Sequence, residues 1–365
     1  MRLIKLKDIN LIYSNITEDE YPKWIYPVTY NKGDRVKVID KTPYKIYESL
    51  IDNNTGNYPP DSVWTELQAN YAEWDKTAIY SKGDRVKVSY ASDGITPLDT
   101  PTAFESLTDN NKGNYPPDDT TNWKHLNLWK EIGSTNRWAM FDEYVLSQTE
   151  NNGKIEVVVD FSNCDAFALF NLYASSIDWE LYDGDHTNLN NLIQSGNISL
   201  QEPVQDWYEY FYLPISYKQD VCVVPLAVLE NGKLKVTINP LSGLSKCGMM
   251  TVGRSRYLGD SVFDLQVGIL DWSKKETDDK GRAVLKEGSF AKLIECNIWL
   301  QTKAIDIVRK ALTDARAIPA VYNFNNDNPD AVFDSLIVYG FFKDFDVILS
   351  GPAISRLSIQ IEGLI

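Results

Sequence analysis

The chain has 365 residues, 43% of them apolar and 12% aromatic, enough for two to four separate cores. A formal net charge of −15 and a pI near 4.7 argue against a nucleic-acid backbone or an anionic membrane as the main partner, because both repel an acidic surface across a Debye length. The four cysteines, Cys164, Cys222, Cys247 and Cys296, lie far apart with no C-x-x-C pair. Neither a zinc site nor a disulfide framework is therefore expected, and they read as buried, reduced thiols.

The opening stretch, MRLIKLKDINLIY, lacks the apolar core and small-residue cleavage site of a signal peptide. No run of uncharged apolar residues is long enough to span a membrane. The expectation is a protein made in a cytoplasm that stays folded there or leaves by cell lysis, with residues 1–20 as an N-terminal arm.

From there the chain repeats itself. NKGDRVKV at 31–38 returns as SKGDRVKV at 81–88, and YESLIDNNTGNYPPD at 47–61 returns as FESLTDNNKGNYPPD at 104–118. Self-similarity of this length marks a duplicated unit. Lys-Gly-Asp predicts a tight turn, and the alternation Arg-Val-Lys-Val a half-buried strand with its valines inward and Arg35, Lys37, Arg85 and Lys87 outward. Two small β modules are predicted, 21–68 and 69–127, with the second carrying an insertion near DGITPLDT and with Trp64 matched to Trp123 as closing residue.

Trp24, Tyr30, Gly33, Asp34, Val36, Tyr47, Pro59 and Trp64 in one copy, and Trp74, Tyr80, Gly83, Asp84, Val86, Phe104, Pro116 and Trp123 in the other, follow a pattern that resembles the small chitin-binding-type carbohydrate-binding modules. That resemblance implies a sugar-binding surface of aromatic rings. The segment that usually supplies those rings reads Leu50-Ile51-Asp52 and Leu107-Thr108-Asp109 here, so Tyr58 and Tyr115, in the GNYPPD loops, become the leading candidates. Trp24, Trp74, Tyr30 and Tyr80 complete the candidate carbohydrate site. Against it stands the plainer reading that modules of this size need their tryptophans as core, with the modules acting as spacers.

Beyond Trp129 the composition changes. Strands are expected at 154–161, 166–173, 177–183, 206–215, 220–228 and 233–240, which predicts a jelly-roll-like β-sandwich over 128–253. The DGDH stretch at 183–186 lacks the ligands of a calcium loop and reads as a solvated turn. Over 254–365 the pattern predicts an α+β domain: a hairpin with its polar tip in SKKETDDKG, a strand in KLIECNIWLQ, and one clear helix in TKAIDIVRKALTDARAIP. Ala304, Val308, Ala311, Leu312 and Ala315 form that helix's apolar face, Thr302 caps it, and Pro319 closes it. Three strands follow. The fold class expected is thus mainly β and multidomain.

Thr135-Asn136-Arg137-Trp138-Ala139-Met140-Phe141-Asp142, the helix followed by ARAIPAVYNF, VYGFFKDFDV and the terminal LSIQIEGLI look similar to tail-associated structural proteins of tailed bacteriophages. The resemblance implies a virion protein of the tail, baseplate or tail-appendage attachment region. It also implies other tail proteins as neighbours, a homo-oligomeric ring, and host-surface polysaccharide as a further partner; 254–365 would be the anchoring part. Only two histidines exist, His125 and His186, and no HExxH, G-x-S-x-G, Walker or GxGxxG motif appears. No catalytic residue, cofactor or metal is predicted. The rival reading is a free glycan-binding accessory protein or a cell-envelope polysaccharide-degrading enzyme.

Overall fold

A computed structural model describes residues 1–62, 71–204, 206–261, 265–277, 282–325, 333–349 and 351–364. The protein is mainly β and falls into two compact units, one of residues 1–17 with 136–365 and one of residues 18–135. The repeated modules are therefore inserted into the larger unit, whose chain stops at Thr17 and resumes at Asn136.

The larger unit is built on two antiparallel sheets. One has five strands in the order Leu192–Ser199, Ser176–Asp183, Gly232–Asn239, Ile155–Asp160 and Leu11–Ser14. Its alternation puts Ile155, Val157, Val159, Leu234, Val236 and Ile238 on one face, all fully buried. They pack against Phe167, Leu169, Met250 and Val252 from the second sheet, which is the sandwich core.

The second sheet has eleven strands. Its main path runs Val221–Val223, Ala166–Tyr173, Leu244–Tyr257, Arg2–Lys7, Ala320–Asn323, Ile337–Ile348, Ile354–Gly363, Phe290–Gln301 and Asp260–Ser261. Two expectations change here. Residues 2–7 are no arm: Arg2–Lys7 pairs with Leu244–Tyr257 on one side and Ala320–Asn323 on the other. Its neighbours Leu3 and Ile4 are both buried, on opposite faces of the sheet. The expected boundary at 253/254 also falls inside one strand, Leu244–Tyr257, so the sandwich and the α+β region share a sheet.

The clear helix is Ile305–Asp314, with Val308 and Leu312 buried. They pack on Ile298, Tyr322, Leu357 and Ile359 of the large sheet. Thr302 does not cap it. The Thr302 hydroxyl donates to the Gly351 carbonyl at 2.9 Å and lies 2.8 Å from the Ser355 hydroxyl, and the helix begins at Ala304 without a side-chain cap. A part-buried ion pair ties the two parts of this unit: Lys292 Nζ reaches Asp220 Oδ2 at 2.5 Å and also donates to the Asp334 carbonyl at 2.8 Å.

The expected strand at 206–215 is a helix, Trp207–Tyr212. Asp206 Oδ1 accepts from the Glu209 amide at 2.8 Å, satisfying one of the donors a helix start leaves open. The hairpin arms are Lys274–Thr277 and Ala283–Lys286; its expected tip lies in part outside the described residues.

Candidate functional site

In both modules Lys-Gly-Asp makes the same turn. Gly33 and Gly83 have φ of +89° and +94°, a region glycine enters without steric cost. Asp34 Oδ2 accepts from the Asn31 amide and Asp84 Oδ2 from the Ser81 amide, each at 2.7 Å. The strands that follow bury Val36, Val38, Val86 and Val88. Arg35 pairs with Glu48 at 2.7 Å and Arg85 with Glu105 at 2.8 Å across the ladder.

The closing strands differ from the expected repeat. In the second module Trp123–His125 pairs with the strand carrying Phe104. Trp123 packs edge-to-face on Tyr80 at 5.2 Å and donates Nε1–H to the Asn114 carbonyl at 3.0 Å. The residue that repeats this geometry in the first module is Trp129: it meets Tyr30 edge-to-face at 5.3 Å and donates to the Asn57 carbonyl at 3.0 Å. Its strand, Trp129–Ser134, pairs with Lys45–Ser49. The first module is thus assembled from residues on both sides of the second. Trp64, matched to Trp123 in the sequence, lies outside the described residues.

This architecture sorts the candidate site residues. Tyr30 is buried, its hydroxyl accepting from the Ile25 amide at 2.9 Å. Tyr80 is half-buried, its hydroxyl accepting from the Asp75 amide at 2.8 Å, and burial pushes its pKa up. Both belong to the cores. Trp24 and Trp74 are half-buried against the module cores, as Tyr80 is, and form edge-to-face pairs with the likewise half-buried Tyr58 at 5.2 Å and Tyr115 at 5.3 Å. Tyr58 donates its hydroxyl to Asp40 Oδ2 at 2.6 Å, and Tyr115 donates to the Tyr90 carbonyl at 2.7 Å. Burial, and then Asp118, Asp93 and Glu73, push the Tyr115 pKa up. Each module therefore holds one Trp–Tyr pair, both rings half-buried against the module core, with its tyrosine in a GNYPPD loop.

One ring escaped the sequence reading. Tyr26 is 69% exposed and lies over Gly56, where an added Cβ would stand 3.2 Å from the ring. In sequence it stands between Trp24 and Tyr30, where the second module has Lys76. An aromatic in one copy and a lysine in the other was the available signal.

His125 packs edge-to-face on Phe104 at 4.6 Å. Burial, with repulsion from Lys32, lowers its pKa to about 4, which marks it as a neutral structural ring. No family model matches the chain, and no curated protein does.

Proposed function

We propose that the protein is a structural component of a phage tail, baseplate or tail-appendage region that contacts host-surface glycans through its inserted modules. The reading assigns attachment to the larger unit and recognition to the smaller one, with no chemistry performed on the sugar. The observation that carries recognition is the recurrence of the half-buried Trp–Tyr pair, Trp24 with Tyr58 and Trp74 with Tyr115, in the same edge-to-face geometry. Rings fixed this way offer apolar faces at little entropic cost, which is what the C–H face of a pyranose needs.

The insertion supports the division of labour, because a cassette set between Thr17 and Asn136 of the larger unit can be changed without rebuilding that unit. A single ring contributes about 0.5–1.5 kcal/mol beyond burial, so one site is weak, and two copies multiplied by an oligomer act through avidity. The tail assignment rests on the motif resemblance in 130–365. The uncovered apolar side chains of the larger unit, among them Trp207, Phe211, Leu285 and Phe290, also suit a protein that works inside an assembly.

Two measurements test the reading. Mass spectrometry of purified particles should find this chain at stoichiometric level; its absence from particles sinks the tail assignment. A glycan array with the full chain should give a signal that Tyr26→Ala and Tyr58→Ala together lower about tenfold while the melting temperature holds. A signal unchanged by both substitutions removes the assigned surface.

A further inference from the structure

The helix Trp207–Tyr212 is amphipathic in the wrong sense. Trp207, Tyr208, Tyr210, Phe211 and Tyr212 are 63–78% exposed, while Glu209 is the least exposed residue of the six. The rings order one another instead of a core: Trp207 stacks on Phe211 at 6.2 Å, and Tyr208 meets Tyr212 at 5.1 Å. Aromatic residues bury about 150–250 Å² each, so these five leave about 700 Å² of coverable surface, close to the about 800 Å² that a standard interface takes from each partner. A soluble chain seldom leaves so large a contiguous patch uncovered.

The same unit carries a second uncovered apolar surface. Gln266–Asp271 pairs only with Phe290–Gln301 among the described residues, leaving an open sheet edge. Along this edge and the adjoining hairpin, Val267, Ile269, Trp272, Leu285 and Phe290 are 48–76% exposed, about 500 Å² by the same measure. The ladder places Lys275 opposite Leu285, Lys274 opposite Lys286 and Glu276 opposite Val284, and Lys286 pairs with Glu276 at 2.8 Å, so charges of both signs flank this strip, whereas Glu202 and Asp206 flank the helix.

We infer that the aromatic helix Trp207–Tyr212 of one copy docks on the apolar strip of Gln266–Asp271 and its hairpin in a second copy, head to tail. Two unlike apolar surfaces of similar size on one chain are the two halves of a heterologous contact, the kind that closes rings. A membrane is the poorer occupant, because helices that bed into lipid interfaces carry Lys and Arg beside their aromatics. Here the flanks are acidic and the chain carries −15. The contact deepens the ring expected of a tail protein, but it does not depend on the chain being found in particles.

Sedimentation and light scattering of the full chain test it. Wild type is expected to associate beyond its 41.5 kDa monomer. Trp207→Ser with Phe211→Ser, and Ile269→Ser with Leu285→Ser, should each give monomers. An equimolar mixture of the two variants should give a heterodimer, since each brings one intact surface. All four positions are exposed, so both variants should keep the wild-type circular dichroism; if one pair misfolds, Tyr210→Ser with Tyr212→Ser, or Val267→Ser with Trp272→Ser, replaces it. Wild type that stays monomeric to about 100 µM, a helix variant that still associates, or a mixture that stays monomeric overturns the contact. So does wild type that remains monomeric but binds phosphatidylcholine–phosphatidylglycerol vesicles through the helix. Particle mass spectrometry reads the tail assignment separately.

Discussion

Replacing Trp129 by alanine should unfold the first repeated module. Its side chain is 1% exposed and buries about 200 Å², which at about 25 cal/mol per Å² sets a ceiling near 5 kcal/mol. Compactness of the unfolded chain removes 10–40% of that. The lost indole donor leaves the Asn57 carbonyl without its 3.0 Å partner, which adds about 1 kcal/mol. The sum, about 4–5 kcal/mol, lies in the range of Trp→Ala substitutions in cores. Hydrogen exchange on the full chain reads it locally: amides of Arg35–Val38 and Lys45–Ser49 should exchange about a thousandfold faster, since 1.36 kcal/mol is one decade. Trp123→Ala should instead release Arg85–Tyr90. Trp129→Phe should recover the burial but not the indole donor, costing about 1–2 kcal/mol. Trp129→Ala that speeds exchange in 35–49 by less than about tenfold would refute the assembly of that module from both sides of the second.

Three further outcomes are expected. His125 titrates near 4 in the folded protein, below the ordinary 6.5. Between these values the unfolded chain holds a proton that the folded one does not, so stability of the second module, complete above pH 6.5, should fall by about 2–3 kcal/mol toward pH 4; His125→Phe should flatten that slope in pH-dependent exchange. Lys292→Met should cost the larger unit about 3–5 kcal/mol in chemical denaturation by stranding the Asp220 carboxylate, and adding Asp220→Asn should restore part of it; a double variant as unstable as the sum of both singles speaks against a coupled pair. Replacing residues 71–126 by a short Gly-Ser linker should leave exchange protection in Lys45–Ser49, because the partner strand Trp129–Ser134 is retained; protection lost there means that the first module needs the second to fold.

Much of the fold was legible because it depends on local pattern. Alternation located the strands at 154–161, 166–173 and 233–240 nearly to their ends, and the period of Val308 and Leu312 located the helix. What the pattern could not supply was partners. Arg2–Lys7 reads like an arm because its mates, Leu244–Tyr257 and Ala320–Asn323, lie hundreds of residues away in sequence. The helix Trp207–Tyr212 reads like a strand because Tyr, Phe and Trp favour strands; the contrary signals were Asp206 three residues before Glu209, a capping arrangement, and rings at 207, 208, 210, 211 and 212 without a period of two. In the candidate site the repeat located all six named rings, but only contact geometry sorts them: Trp24 and Trp74 pair with Tyr58 and Tyr115, while Tyr30 and Tyr80 pack on the closing Trp129 and Trp123.

The closing strands carry the widest consequence. Trp123-Lys124-His125 and Trp129-Lys130-Glu131 are near-copies six residues apart, two closing strands in succession, and that is the signature of one module set inside another. Tandem modules would each open and close alone. Here the Leu50 amide donates to the Leu128 carbonyl, and the Leu107 amide to the Asn122 carbonyl, so the chain that leaves the second module becomes the last strand of the first. Lys32 of the first module also lies close enough to His125 of the second to oppose its protonation. Two modules joined this way share their motion, and the effective concentration of one beside the other no longer depends on a flexible linker. Under the proposed glycan-binding role, nesting in place of a tandem repeat favours a paired grip on one polysaccharide over two independent weak ones.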